Sequence, residues 1–252
     1  ALLQEPDILL PISLAWLSER SILTQQGERN REALLRTSPK LERGNLSPKM
    51  LGLSGSVWMQ CTYAAYPQKN RVKSTINVLM KNLLSAARVS APSLRNRNHS
   101  NLSSVLVIHE YFGQDHAMAR CFHPVIQGFG KYFRLFGLIQ CDHRNTIAEK
   151  LYEGIHTVAP ETQNLPDLIS LIGKIKPDII FYPSLGMQQW SLALASLRLA
   201  PLQIAGVGHP ASTFLDTIDY IFTHGGMSVE GIFFRKSHTS TRSKSHLFPA
   251  LG

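Results

Sequence analysis

With 252 residues, 44% of them hydrophobic, and a net charge of +9, the chain has room for one large or two modest domains around a sizeable core. No stretch is apolar for the length of a membrane span, and Cys61, Cys121 and Cys141 are odd in number and lack ligand spacing. Those features indicate no membrane-spanning helix, disulfide framework or zinc site. Charge is uneven: residues 1–100 carry fourteen Lys/Arg against six Asp/Glu, residues 101–220 eight against ten, and residues 221–252 four against one. The basic flanks read as solvated surface, and with no basic–aromatic repeat nucleic acid is not the expected partner.

The opening ALLQEPDILLPISLAWL is interrupted by Glu5, Pro6, Asp7 and Pro11. It is unlike a secretory leader, and a reducing cytoplasm is the expected setting. Residues 12–36 show helical spacing through Ile12, Ala15, Trp16, Ile22 and Leu23, interrupted at Gly27. Ser38-Pro39, Ser47-Pro48 and three glycines break the chain between about 37 and 56. Val57–Tyr66 suits a buried helix, and Arg71–Arg88 a better one, striped by Val72, Ile76, Leu79, Met80, Leu83 and Leu84. The Asn/Ser-rich stretch 92–104 reads as a linker, closing a helical N-terminal region at 1–91. From Val105 the pattern changes to alternation of strand and helix. Strands are expected at Val105–Ile108, Tyr132–Ile139, Ile155–Val158, Ile179–Tyr182, Leu202–Val207 and Asp219–Thr223. Helices are expected from His116, over Asn145–Tyr152, Leu165–Ile175 and Met187–Leu199. Such alternation implies an α/β fold with a mostly parallel sheet over 105–224. Residues 225–252 sustain no periodicity and read as a basic, poorly ordered tail.

In open α/β sheets ligands bind beyond the carboxyl ends of the strands. Ser184-Leu185-Gly186 and Gly208-His209-Pro210 fall on that edge. His209, after a glycine at a strand end, can meet a phosphate or acceptor group, or bond its own turn. His116 and Arg120, four apart near a helix start, suit an anion or acceptor-peptide contact, or form a surface pair. Glu110 and Asp115 are candidate general bases; alternatively Asp115 caps the following helix and Glu110 pairs with Arg120. Gly186 and Gly208 suit tight turns or close backbone approach to substrate. No metal-ligand spacing is present.

Pro183-Ser184-Leu185-Gly186-Met187, Leu197-Arg198-Leu199-Ala200-Pro201 with Gln203, Gly208-His209-Pro210-Ala211 and Ile218-Asp219-Tyr220 occur in an order that resembles the bacterial cytoplasmic N-glycosyltransferases of adhesins. These are the high-molecular-weight adhesin C-like enzymes, relatives of O-GlcNAc transferase. Glu110, Phe112, His116 and Arg120, and Met59–Ala64 with Lys69 and Lys73, resemble the family less strongly. The similarity runs over residues 57–222, and the first 55 or so residues match poorly. The resemblance implies a helical N-terminal region followed by one Rossmann-like lobe of a GT-B-type glycosyltransferase, with the second lobe absent. It also implies inverting, metal-independent transfer of a hexose from a UDP-sugar to Asn side chains of an acceptor protein, with no permanently bound cofactor. Phe214 stands where the family carries a second histidine. After Phe222 the family pattern ends abruptly, as a shifted reading frame would produce. Two readings follow: a partial glycosyltransferase, inactive on its own, or a catalytically silent lobe that binds protein or anions.

Overall fold

Apolar side chains that alternate along a strand point to opposite faces, so a run without polar interruption needs a packing layer on each side. Strand β1 (Ser104–His109) shows the consequence: Leu106 and Ile108 join one apolar core, Val105 and Val107 the other. The structure, a computed structural model, describes residues 5–92, 102–113, 115–159, 164–208, 211–223 and 234–236. Among these the remaining strands are β2 (Arg134–Gln140), β3 (Gly154–Val158), β4 (Ile179–Tyr182), β5 (Leu202–Gly206), β6 (Tyr220–Phe222) and β7 (Phe234–Lys236). The sheet order is β3-β2-β1-β4-β5-β6-β7. Neighbours from β3 to β6 are parallel, and β7 lies antiparallel to β6. Order reverses beside β1, which places a topological switch point between β1 and β4.

One face of the sheet carries α5 (Ala117–Phe129) and α6 (Thr146–Leu151); the other carries α7 (Leu165–Ile175) and α8 (Gln189–Ala195). Helix α5 continues through Pro124. An interior proline costs about 3 kcal/mol, and burial of Phe122 and Ile126, at roughly 1.5–3 kcal/mol each, offsets it. Helix α8 is shorter than its composition suggests. The Gln203 side chain takes the N–H groups of Leu199 and Ala200 at 2.7 and 3.3 Å, turning the chain into β5.

The N-terminal helices are α1 (Pro6–Leu17), α2 (Gln25–Thr37), α3 (Leu51–Gln60) and α4 (Val72–Ala86). The break between the first two falls at 18–24, not at Gly27. Thr24 caps α2 by accepting from the Gly27 N–H at 3.0 Å, so that glycine lies inside the first turn. Helix α3 starts at Leu51, earlier than the glycines suggest, because Gly52 and Gly55 face Gln189 of α8. The helical region and the sheet share one core: Val57, Trp58, Ile76 and Leu79 pack with Ile180, Tyr182 and Leu185. The Asn77 Nδ2 donates to the Thr213 carbonyl at 3.0 Å, and Lys81 pairs with Asp216 at 2.7 Å. Residues 93–101, most of the expected linker, lie outside the described residues, as does most of the expected tail; β7 is a strand in that tail which the sequence does not announce.

Candidate functional site

The loops after β1, β2, β4 and β5 meet at one edge of the sheet. Glu110 is the residue that ties them. It follows the last residue of β1 and is fully buried. It accepts from Ser184 Oγ at 3.0 Å, the Gly186 N–H at 2.8 Å, the Gln188 N–H at 3.0 Å and Ser191 Oγ. Burial pushes its carboxyl above the usual range, against four hydrogen bonds that favour the anion. It does not pair with Arg120. That guanidinium donates to the Asp115 carbonyl at 2.5 Å instead.

Beyond Glu110 the loop turns outward. The Tyr111 ring stacks on His116 with centroids 5.1 Å apart and lies 5.4 Å from His143, which ends the turn after β2. Gln188 Nε2 donates to the Tyr111 hydroxyl. His116, not Asp115, caps α5: its Nδ1 accepts from the Met118 N–H at 3.2 Å. That bond leaves Nε2 as the nitrogen bearing the proton in the neutral ring. Nδ1 of His143 is buried and, among the described residues, has no hydrogen-bond partner. At the end of β1, His109 bonds the Tyr152 hydroxyl at 2.5 Å, and burial, then the charge of His143, lowers its pKa to about 3.

The two glycines expected on the rim are brought together by Pro183 and Ser184. The Gly208 N–H donates to the Pro183 carbonyl at 3.1 Å. A Cβ on Gly208 would fall 2.6 Å from Ser184 Cβ and 2.7 Å from Met118 Sδ, at the start of α5. Gly186 has φ +104, and a Cβ there would fall 2.0 Å from the Trp58 indole. His209 lies outside the described residues. Asp115 is exposed at the loop's outer end, and Phe214 sits at φ 55. Among the described residues no group of three or more His, Cys, Asp or Glu could hold a metal ion, and no helix is long and apolar enough to cross a membrane.

Sequence reading missed Tyr111, His143, Gln188 and Trp58. Nothing in their local spacing marks them; they converge from four separate loops and helices. The family-like motifs also divide in space. Arg198 pairs with Asp219 at 2.5 Å, and Asp219 accepts from the Gln203 N–H at 2.8 Å, at the opposite, amino-terminal edge of β5 and β6. That half of the motif set is scaffold.

A parallel sheet with helices on both faces and a rim of loops at its carboxyl edge is a Rossmann-like lobe. Similarity to known proteins points the same way. Residues 2–84 match the family model described as HMW1 domain 2. The chain is 25% identical over 222 residues to a UDP-glucose:protein N-beta-glucosyltransferase of Actinobacillus pleuropneumoniae serotype 5b, and 26% identical to the serotype 7 protein of the same name. Each alignment covers 86% of this chain and 36% of the relative, so the chain spans about a third of the relatives' length. In fold it is similar to an O-GlcNAc transferase of Thermobaculum terrenum, at a TM-score of 0.54 and 14% identity, over 77% of this chain and 37% of that one. The resemblance to adhesin N-glycosyltransferases is therefore borne out, and it reaches further upstream than residue 57: the family model covers the first helices that the sequence motifs left unmatched.

Proposed function

We propose that the chain forms the helical region and first lobe of a protein N-glycosyltransferase cleft, and that the shelf of Tyr111, His116, His143 and Gln188 receives the acceptor side chain. In the full-length form a hexose passes from a UDP-sugar to an Asn carboxamide in the cytoplasm, with inversion and without a metal or resident cofactor. The amide nitrogen bonds C1 of the sugar, the C1–O bond to UDP breaks so that UDP leaves with the bonding pair, and the proton lost by the amide passes to solvent water. A carboxamide presents both donor and acceptor, which Gln188 and the two imidazoles complement. The acceptor protein approaches on the shelf side, with the rim glycines Gly186 and Gly208 allowing close approach; His209, next in sequence to Gly208, and Arg120, on the helix that His116 caps, are the further candidate contacts. Glu110 positions the rim: it is fully buried, its Oε1 accepts from Gly186, Gln188 and Ser191, and its Oε2 accepts from Ser184. Asp115 is exposed at the outer end of the same loop.

The observation that carries this reading is the pair of half-buried imidazoles bracketing Tyr111 beside the β4 and β5 tips, in a chain aligned over 222 residues with protein glucosyltransferases. Stabilising a UDP leaving group needs several donors aimed into a water-poor cleft. One lobe supplies one wall, so the chain alone binds acceptor without transferring sugar.

The test mixes the purified chain with an Asn-containing peptide and UDP-glucose. Mass spectrometry is expected to find unmodified peptide, while imidazole NMR signals of His116 and His143 move as peptide is added. Hexosylated peptide would overturn the silence of the isolated chain. Peptide that leaves both imidazoles unmoved would overturn the acceptor shelf.

A further inference from the structure

Trp58 belongs to α3, yet it reaches the rim of the sheet. It is 1% exposed, and its Nε1 donates to the Leu185 carbonyl at 3.2 Å. Its ring occupies the space a side chain at position 186 would take, which is why the turn carries a glycine at positive φ. On the helical side Lys73 Nζ lies 5.0 Å from the ring centroid, fully buried and, among the described residues, without a hydrogen-bond partner. A cation over an indole face is attracted by the ring's quadrupole. The indole is thus pinned between a helical-region cation and the β4 turn.

The turn it holds is the one that builds the shelf. Leu185 and Gly186 lead to Gln188, whose backbone N–H is bound by Glu110 and whose side chain donates to Tyr111. Tyr111 in turn stacks on His116. Each link is a directional bond or a face-to-face contact, so displacement of the turn has a defined route to the imidazole. A site group is held in working geometry by the residues that support it. The neighbouring Gln189 adds a second support: a Cβ on Gly55 would lie 3.3 Å from its side chain.

We infer that Trp58 is a positioning residue for the acceptor shelf, so that the helical region is part of the site rather than an attached domain. The inference rests on the proposed function only for what the shelf binds. Trp58 touches no substrate; it sets the turn at 185–188, and through it Gln188, Tyr111 and His116.

The test compares Trp58→Phe with Leu79→Ala, a core change in α4, by imidazole NMR and thermal melting of the full chain. Trp58→Phe keeps the ring and removes the N–H. It is expected to shift the His116 and His143 signals while the His109 signal, held by Tyr152, stays in place. Leu79→Ala is expected to lower the melting temperature at least as much and leave His116 unmoved. Reciprocally, Tyr111→Phe, a half-exposed change, is expected to shift the Trp58 indole N–H signal, and this arm stands even if Trp58→Phe fails to fold. An unmoved indole signal in Tyr111→Phe, an unmoved His116 in folded Trp58→Phe, or an equal His116 shift in Leu79→Ala would overturn the inference. These readouts need no peptide, so failure of acceptor binding leaves them intact.

Discussion

Glu110 and His116 are six residues apart on one loop and live in opposite environments. Glu110 is fully buried and surrounded by four donors; His116 is half-buried, with one nitrogen used by the helix it caps. A buried carboxylate with every donor in place is costly to disturb, because each released donor is left without water. A partly exposed imidazole whose ring is held by stacking can exchange partners at small cost. The loop therefore divides into an inner part that fixes the turn after β4 and an outer part that has chemistry to offer. Glu110, a candidate general base in the sequence, binds the turn after β4 through four hydrogen bonds, and the aromatic beside it, Tyr111, contacts His116, His143 and Gln188.

The largest effect expected on the framework side comes from Gly186→Ala. It combines a positive φ with a clash against a buried indole, and is expected to cost roughly 3 kcal/mol or more, read as a lowered denaturant midpoint. A midpoint within error of the parent would mean that the turn is not held by Trp58. Next is Glu110→Gln, which keeps the shape but replaces an acceptor oxygen by a donor facing Ser191, Ser184 or backbone N–H groups. A loss of about 2–4 kcal/mol is expected, whereas His116→Asn, with a side chain that can still cap α5, should stay within about 0.5 kcal/mol of the parent. Equal losses at the two positions would erase the division.

The smallest and most graded effect is in pH. His109 is held neutral with a pKa near 3, against 6.5 for the free side chain. The unfolded chain thus binds a proton that the folded chain refuses between those values. Stability from this group is complete above pH 6.5 and is lost as pH falls toward 3, with a slope of up to about 1.4 kcal/mol per pH unit. Urea midpoints at pH 7 and pH 5 should differ more for the parent than for His109→Gln. Equal differences would mean that the buried imidazole does not couple to acid stability.

Much of the fold was legible in advance, for a local reason. Runs such as Val105–Ile108 and Ile179–Tyr182 are too short and too β-branched for helices, and their unbroken apolarity calls for a layer on each face. Helix α4 showed its stripe plainly. Among the boundaries misread was the end of α8, which stops at Ala195 while the Gln203 side chain binds the N–H groups of Leu199 and Ala200 in the turn that follows. Of the site, the rim glycines were legible because Gly186 and Gly208 stand at strand ends. Tyr111, His143, Gln188 and Trp58 were not, since each is an unremarkable residue in its own stretch and meets a partner distant in sequence: His143 and Gln188 meet Tyr111, and Trp58 meets Leu185.

By itself the order of residues determined the layered parallel sheet, its helical preface and the edge at which loops gather, because strand and helix periodicities are properties of neighbours in sequence. Only the tertiary structure decided what each polar group on that edge is for. Whether a carboxylate is a base or a brace depends on how many donors surround it and how much water reaches it. For Glu110 those donors come from Ser184, Gly186, Gln188 and Ser191, more than seventy residues away, and no local pattern encodes that distance.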